Sequence, residues 1–166
     1  MAEYKHIVHT FEPVYDKNSK VLILGSLPSV KSREQGFYYG HPRNRFWAVV
    51  AAVAGQNVPV TIPEKRAMLL RSGIAVWDVV SECDIKGSSD ASIKNVVAAD
   101  LSVILENCDI KAIFANGSTA AKLYERFQHA KTGREISTLP STSPANAAYG
   151  LERLTDEWRK KLGGLL

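Results

Sequence analysis

Two asparagines stand where the chain changes direction, and their amides could take part in chemistry. Asn44 precedes an apolar run that begins at Phe46, and Asn116 precedes Gly117 after a short apolar stretch. A side-chain amide both donates and accepts hydrogen bonds, so it can orient water or a polar ligand, although it is not a strong base. Both residues also suit structural roles, Asn44 as a helix N-cap and Asn116 as a turn residue.

Several other kinds of catalytic centre have no signature in the sequence. The chain contains no GxxxxGK(S/T) phosphate loop, no GxGxxG dinucleotide pattern and no GxSxG nucleophile turn. Cys83 and Cys108 stand apart, with no cysteine or histidine at the spacing of a metal site. We therefore expect two free thiols, and neither a metal nor an organic cofactor.

Composition predicts one globular domain over residues 1–166. The hydrophobic share is 45%, and 21 Lys and Arg against 17 Asp and Glu leave a net charge of +4, which permits a polyanionic partner. Residues 1–10 lack the pattern of a signal peptide, and the longest nearly uncharged run, residues 46–61, is too short for a membrane span. We expect a soluble, cytoplasmic monomer.

Apolar runs that alternate with helical patterns predict a small doubly wound α/β domain. The four predicted strands share an apolar core sequence, and they cover Val21–Leu24, Ile74–Val80, Lys111–Ala115 and Arg134–Leu139. The predicted helices run from about Asn44 to Gly55, Thr61 to Gly73, Asp100 to Asn107, Ser118 (as the cap) to Phe127, and Leu151 to Leu162. The polar stretch Ser81–Ser89 is predicted as a loop. The result is a mainly parallel four-stranded sheet with helices on both faces.

In such a sheet, ligands bind outside the carboxyl ends of the strands. The segments predicted to meet there are Gly25–Ser29, Asp78–Ser81, Asn116–Ser118 and Leu139–Asn146. Asp78 could polarise water at this edge, but we expect it to hydrogen-bond to a loop instead. The fold therefore predicts that Asn116 faces the same space as the first and last of these loops.

Three of the loop sequences carry a family resemblance. They read GSLPS over residues 25–29, GFYYGHPRNRFW over residues 36–47 and LPSTSPAN over residues 139–146. These segments resemble motifs 1 and 2 of the uracil-DNA glycosylase superfamily, and within it they are most similar to the hypoxanthine (deoxyinosine) DNA glycosylase family, which also has GSLPS. The resemblance extends from Val21 to the last helix.

The resemblance implies an activity and two catalytic residues. It implies a monofunctional glycosylase of base excision repair that flips a deaminated base, chiefly hypoxanthine, out of DNA and hydrolyses its N-glycosidic bond to leave an abasic site. Leu27 occupies the position at which relatives with GxNPG carry a catalytic asparagine. The family assigns the essential role to the asparagine of HPxNRFW, Asn44 here, and a supporting role to Asn116.

The resemblance also implies which residues hold the extruded base. Tyr39 matches the position where relatives stack an aromatic ring on it, and Phe37, Leu27 and Ser26 are expected beside it. Stacking on an aromatic ring returns part of the energy that the base loses when it leaves the duplex. For Tyr39 and Phe37 the alternative is a place in the core.

DNA contacts are expected from hydroxyls, amides and basic side chains in the same loops. The candidates are Ser29, Lys31, Arg43, Ser141, Thr142, Ser143 and Asn146, and Arg33 and Arg45 add to the positive charge around motif 1. Short hydroxyls in tight turns can hold phosphates without reading sequence, although each could also be a simple turn residue. Relatives place a large aliphatic wedge in motif 2, and residues 144–146 (Pro-Ala-Asn) offer none.

Three other functions remain open at this point. A uracil or mismatch-specific uracil-DNA glycosylase is the nearest alternative. A catalytically silent nucleic-acid-binding relative is a second, because Leu27 replaces the usual asparagine. A small-molecule hydrolase on the same scaffold is the weakest, since its usual nucleophile turn and metal ligands are missing from the sequence.

Overall fold

A computed structural model describes residues 3–87 and 89–166 of the chain. The strands in these ranges are β1 (Tyr4–Val8), β2 (Val21–Gly25), β3 (Ile74–Asp78), β4 (Val80–Lys86), β5 (Lys94–Ala98), β6 (Ala112–Asn116) and β7 (Ser137–Leu139). The helices are α1 (Val30–Gln35), α2 (Phe46–Ala54), α3 (Ile62–Arg71), α4 (Ser102–Leu105), α5 (Ser118–Phe127), α6 (His129–Thr132) and α7 (Leu151–Leu162). No helix within these ranges is both long and apolar enough to cross a membrane.

The central sheet has four parallel strands in the order β3-β2-β6-β7, which confirms the predicted fold class. Strand β2 lies in the middle, with Leu22 opposite Ala75 on one side and Ile113 on the other. The chain moves from β2 to β3 in one direction and later returns to β6 on the other side of β2. The switch point of this doubly wound sheet therefore lies between the carboxyl ends of β2 and β6.

Strand β2 is buried on both faces, which explains its uninterrupted aliphatic run. Val21 and Ile23 pack in one layer with side chains of α2, α3 and α7. Leu22 and Leu24 pack in the opposite layer with side chains of α4, α5 and the smaller sheet. The central sheet thus has helices on both faces, as predicted.

The helices on either side of residues 55–61 begin and end at the predicted signals. Helix α2 ends at Gly55, which adopts a φ of 68° and is the left-handed residue that commonly terminates a helix. Thr61 caps α3 through a reciprocal capping box with Glu64. In α7, Leu154, Trp158 and Leu162 form a buried apolar stripe, whereas Leu151 at the first residue of the helix is exposed.

A second, three-stranded antiparallel sheet in the order β1-β4-β5 was not expected. The loop predicted over Ser81–Ser89 is wrong for most of its length, because residues 80–86 form β4, and the second central strand ends at Asp78. Cys83 and Ile85 point inward and are buried, whereas Glu82 and Asp84 lie on the outer face. Two inward apolar residues in an otherwise polar segment give too weak an alternation to signal a strand.

Several predicted element boundaries also need correction. Ser118 is the first residue of α5 and not its cap, because Gly117 occupies the cap position and makes no side-chain hydrogen bond. The helix predicted over Asp100–Asn107 is a single turn, α4, and the strand predicted over Arg134–Leu139 is only β7. Elements β1, β5, α1 and α6 had no prediction.

Candidate active site

A cleft of about 890 Å³ opens at the carboxyl ends of β2, β3, β6 and β7. It lies at the switch point of the central sheet, where the fold predicts a ligand. Most of its wall residues lie within four separate parts of the chain, namely residues 25–33, residues 38–44, residues 116–120 and residues 138–149, with Asp78 at the floor. Further lining residues come from β4 and the segment after it (Ile85, Gly87, Asp90) and from α7 (Glu157, Lys161). Both candidate asparagines, Asn44 and Asn116, line this cleft.

Asn44 fixes the start of α2 and faces the cleft. Its Oδ1 accepts a hydrogen bond from the Phe46 N–H at 2.9 Å, and its own N–H donates to the His41 carbonyl at 2.9 Å. Asn44 is not the N-cap that the sequence suggested, because Arg45 occupies that position and makes no side-chain cap bond. Asn44 precedes the cap and still satisfies the first N–H of α2. Since Nδ2 of Asn44 has no hydrogen-bond partner within residues 3–87 and 89–166, it is free to donate to a ligand in the cleft.

Asn116 is held at both ends of its amide by one residue, Thr142. Its Nδ2 donates to Thr142 Oγ1 at 3.0 Å, and its Oδ1 accepts from the Thr142 N–H at 3.0 Å. This reciprocal pair fixes the orientation of the amide and joins the end of β6 to the 140–149 loop. One N–H and one lone pair of the amide remain for a ligand.

Tyr39 lies in the cleft wall with an unusual backbone and an unpaired hydroxyl. Its φ is 52°, a left-handed value that is rare for an aromatic residue and costs free energy. One face of the ring stacks on Phe46, with centroids 3.9 Å apart and planes 17° apart. The buried Oη finds no partner among the described residues. Burial and the nearby Asp78 carboxylate raise the pKa of Tyr39, so the hydroxyl keeps its proton.

A buried histidine–aspartate pair lies under the cleft. Asp78 Oδ2 accepts from His9 Nε2 at 2.8 Å, and both side chains are 5% exposed. Gly25 makes room for this carboxylate, because a Cβ at residue 25 would collide with Asp78 Oδ1 and lie 3.2 Å from Tyr39 Oη. Asp78 thus bonds to a neighbouring segment, as expected. Sequence reasoning missed His9, which is 69 residues away along the chain and follows no recognisable motif.

Arg45 points into the protein and holds the 140–149 loop. Its guanidinium donates to the carbonyl oxygens of Ser143 at 2.8 Å, Asn146 at 3.0 Å and Tyr149, and its backbone N–H donates to the Thr142 carbonyl at 3.1 Å. The expectation that Arg45 adds to a DNA-facing basic cluster is therefore wrong. Its positive charge is instead satisfied by hydrogen bonds to carbonyl groups within the protein.

The polar side chains of the 140–149 loop mostly bond within the loop. Ser141 Oγ accepts from the Ser143 N–H at 3.1 Å, and Ser143 Oγ accepts from the Ala145 N–H at 3.2 Å. Asn146 Nδ2 donates to the Ser141 carbonyl at 3.0 Å. These residues line the cleft while shaping its turns. Thr142 is fully buried with its hydroxyl committed to Asn116, so the structure does not place it where a phosphate could bind.

The motif 1 candidates divide between the cleft and the rest of the protein. Ser26 and the half-buried Leu27 line the cleft, as does Ser29, which caps α1 by accepting from the Ser32 N–H at 3.1 Å. Lys31 is exposed on α1 and lies 3.4 Å from Glu34, outside the cleft lining. A surface ion pair of this kind is weak enough to exchange for a phosphate.

Two further candidates lie outside the cleft lining. Phe37 is 3% exposed in the core, where it stacks on Trp47 with centroids 6.0 Å apart, so the structure corrects its expected place beside the base. Arg43 is exposed on the segment that leads to Asn44. Its side chain has no ion-pair partner within residues 3–87 and 89–166, and it remains available for a polyanion.

The fold and the cleft are typical of a class of protein, and sequence comparison identifies that class. The chain belongs to the Uracil DNA glycosylase superfamily, whose family profile matches residues 12–162. Within that superfamily it is 36% identical over 150 residues to the hypoxanthine DNA glycosylase of Methanosarcina acetivorans, covering 89% of this chain and 93% of the relative. It is 33% identical over 138 residues to the hypoxanthine DNA glycosylase of Methanosarcina barkeri, covering 82% and 86%.

A solved structure shows the same architecture. The solution NMR structure of a candidate uracil DNA glycosylase from Methanosarcina acetivorans superposes with a TM-score of 0.79 at 34% identity, covering 93% of this chain and 96% of the other. The family resemblance predicted from the motifs is therefore confirmed by the family profile, by the named relatives and by the fold.

Proposed function

We propose that this protein is a monofunctional DNA glycosylase that excises deaminated bases, chiefly hypoxanthine, and leaves an abasic site. The observation that carries the proposal is that Asn44 and Asn116 line one cleft at the switch point of the sheet. The names of the relatives, which share about a third of their residues with this chain, support hypoxanthine as the preferred base.

Hydrolysis of the N-glycosidic bond requires the cleft to stabilise the charge that develops on the sugar and on the departing base, and to orient a water molecule. The sugar develops oxocarbenium character as the bond from C1′ to the base breaks, and the departing base carries negative charge. Water then adds its hydroxyl to C1′, and its proton passes to the base or to solvent. The free Nδ2 of Asn44 can donate to the departing base, and the remaining positions of the Asn116 amide can orient the water or the base edge.

The cleft supports hydrolysis by water in preference to attack by an amine. Lys161 lines the cleft, and its Nζ donates to the Thr138 carbonyl at 2.6 Å. This hydrogen bond holds the amine on the protein backbone, which disfavours its attack on the sugar. This arrangement supports a monofunctional enzyme without lyase chemistry.

The proposed partner is DNA that contains a deaminated base. The exposed side chains of Lys31 and Arg43 lie on the motif 1 segment that borders the cleft, and the chain carries a net charge of +4. Cationic side chains beside a base-binding cleft attract phosphates without reading sequence. We further propose that residues 1–166 act as one catalytic domain, as a monomer and in the cytoplasm.

A strand-cleavage assay tests the proposal. End-labelled duplexes that contain one deoxyinosine, deoxyuridine or deoxyxanthosine are incubated with the protein and then cleaved at abasic sites with alkali. Wild type is expected to act on deoxyinosine, and Asn44→Ala is expected to lose about 100-fold or more in excision rate, as when one transition-state hydrogen bond is removed. The matched control is Asn57→Ala, which changes an exposed asparagine just beyond the far end of α2.

Two other outcomes assign a different function. Cleavage at deoxyuridine alone makes the protein a uracil DNA glycosylase, an alternative favoured by the description of the solved relative at 34% identity. If the protein retains salt-dependent affinity for DNA but cleaves none of the three substrates, it is a nucleic-acid-binding relative. Full activity of Asn44→Ala on deoxyinosine would remove Asn44 from the mechanism.

A further inference from the structure

One arginine connects two of the segments that line the cleft. Arg45 follows Asn44 directly, and its guanidinium donates hydrogen bonds to three carbonyl groups within residues 143–149. No carboxylate lies within 4.0 Å of this guanidinium in the part of the chain that the structure describes. Its Nε is buried and unpaired, so the charge is satisfied by the loop carbonyls alone.

The connection continues from Arg45 to Asn116 through Thr142. The Arg45 N–H donates to the Thr142 carbonyl at 3.1 Å, and the N–H and hydroxyl of Thr142 hold both ends of the Asn116 amide at 3.0 Å. The two cleft asparagines are therefore linked by one covalent step and three hydrogen bonds. Because Thr142 is fully buried, no solvent competes for these bonds.

We propose that Arg45 and Thr142 are positioning residues that set the amides of Asn44 and Asn116 at their working separation before DNA binds. This inference rests on the proposed glycosylase function and assigns the arginine of motif 1 a role other than phosphate binding. An amide catalyst cannot take a proton, so its contribution depends on placement, and a displacement of about 1 Å can cost on the order of 100-fold in rate.

The geometry demands these two residue types. A guanidinium presents its donors in a rigid planar fork that can reach several carbonyls at once, which a single lysine ammonium on a flexible chain cannot reproduce. A threonine or serine supplies the hydroxyl that accepts from Asn116, whereas valine has the same shape without the oxygen. Arg45→Lys loses the guanidinium contacts that hold residues 143–149, and Thr142→Val loses the hydroxyl that accepts from Asn116, whereas Thr142→Ser preserves the network.

The experiment measures single-turnover excision of deoxyinosine, affinity for the same duplex across a salt series, and hydrogen exchange of residues 140–149. Arg45→Lys and Thr142→Val are expected to slow excision by about 100-fold with unchanged affinity and unchanged salt dependence. Thr142→Ser is expected to retain the wild-type rate. The double variant is expected to lose less than the product of the two single losses, because both act on one network. Exchange in the 140–149 loop is expected to accelerate in Arg45→Lys.

Arg71→Lys is the matched control. The Arg71 guanidinium also binds an acceptor within the protein, Gln56 Oε1 at 2.8 and 3.1 Å, but it lies in a different pocket that shares no residue with the cleft. The control is expected to leave excision and the exchange of the 140–149 loop unchanged.

Several results would overturn the proposal. Weaker DNA binding with a salt slope reduced by about one would make Arg45 a phosphate ligand. Wild-type rates in folded Arg45→Lys and Thr142→Val would reduce the network to packing. If Arg45→Lys does not fold, equal rates in Thr142→Val and Thr142→Ser would refute the proposed role of the network. If wild type excises no base, the proposed function fails, and unchanged exchange in the 140–149 loop of Arg45→Lys and Thr142→Val would then overturn the positioning role separately.

Discussion

Two histidine–aspartate pairs within residues 3–87 and 89–166 have the same separation and very different surroundings. His9 and Asp78 meet at 2.8 Å under the cleft with side chains 5% exposed, whereas His6 and Asp84 meet at 2.8 Å on the outer face of the small sheet with side chains 54% and 26% exposed. Water and salt screen the outer pair, whereas burial shields the inner pair from both. Because the two separations are equal, burial and not distance determines how much each pair contributes to the free energy of unfolding.

The side chains around the two histidine rings differ as the exposures do, because the His9 ring is enclosed and the His6 ring is not. The His9 ring packs against the rings of Phe11 and Tyr38, with centroids 4.4 and 5.9 Å away, and those two rings also contact each other, so packing restricts the imidazole. The His6 ring reaches two carboxylates, Asp84 and, at 3.2 Å, Glu82. The inner pair is a rigid support for the cleft floor, and the outer pair is one of several interchangeable surface contacts.

The largest effect is expected when the inner pair is broken. His9→Ala leaves the Asp78 carboxylate buried without a partner, which costs about 3–5 kcal/mol of unfolding free energy in buried pairs. Urea unfolding measures the loss, and excision of deoxyinosine should fall with it because the cleft floor moves. Changing Asp78 to Asn in the same chain should recover part of the stability. A loss below about 1 kcal/mol, the range of surface pairs, would show that the inner pair is as replaceable as the outer one.

A smaller effect is expected when the inner pair is displaced but kept. Gly25→Ala adds a Cβ that collides with Asp78 Oδ1, and overpacking of this kind typically costs about 1–3 kcal/mol. Thermal unfolding together with the excision assay measures the result. Gly164→Ala is the control, because an added Cβ there meets no atom within 4 Å. Equal melting temperatures for the two variants would contradict the tight fit described here.

The smallest effect is expected from the outer pair. His6→Ala removes contacts that water readily replaces, so the melting temperature and the excision rate should match those of wild type. The measurement is thermal unfolding in parallel with His9→Ala. Comparable losses in the two variants would refute the distinction between the pairs.

The outer pair should nevertheless be visible in a titration. The hydrogen bond to Asp84, with Glu82 nearby, raises the pKa of His6 above its ordinary 6.5, and hydrogen bonds from Asn95 and His6 lower the pKa of Asp84 below 3.8. The contribution of His6 is therefore fully present below pH 6.5 and disappears as the pH rises through the raised pKa. An NMR titration of the His6 ring should give a midpoint above 6.5, and a midpoint at or below that value would contradict the contact.

Sequence reasoning succeeded where burial imposes a pattern. The residues of β2 are apolar without interruption because both faces are covered, and the capping box at Thr61 is a local signal that needs no tertiary contact. It failed for β1, β4 and β5, whose outer faces meet solvent and whose polar residues resemble a loop. Their strands form because they pair with one another, and such pairing leaves little trace in a single sequence.

The candidate site was predictable in part. The motif resemblance identified Asn44, Asn116 and Tyr39, and the fold class brought the strand ends together. The roles of His9 and Arg45 could not be found, because each depends on a partner 69 or more residues away. The position of Arg45 beside a motif favoured the prediction that its positive charge contacts a phosphate. Only the structure shows that its guanidinium instead donates to carbonyl groups within the protein.

The order of the central strands determines when during synthesis the cleft can work. Residues up to 120 supply the floor and three of the walls, but the segment that holds the Asn116 amide emerges later, with β7 and residues 140–149. Helix α7 comes last of all, and it donates from Trp158 Nε1 to the Pro140 carbonyl at 2.8 Å. A nascent or truncated chain therefore has both asparagines without the contacts that align them. A cleft able to remove a base from DNA thus forms only after residues 140–149 have been synthesised.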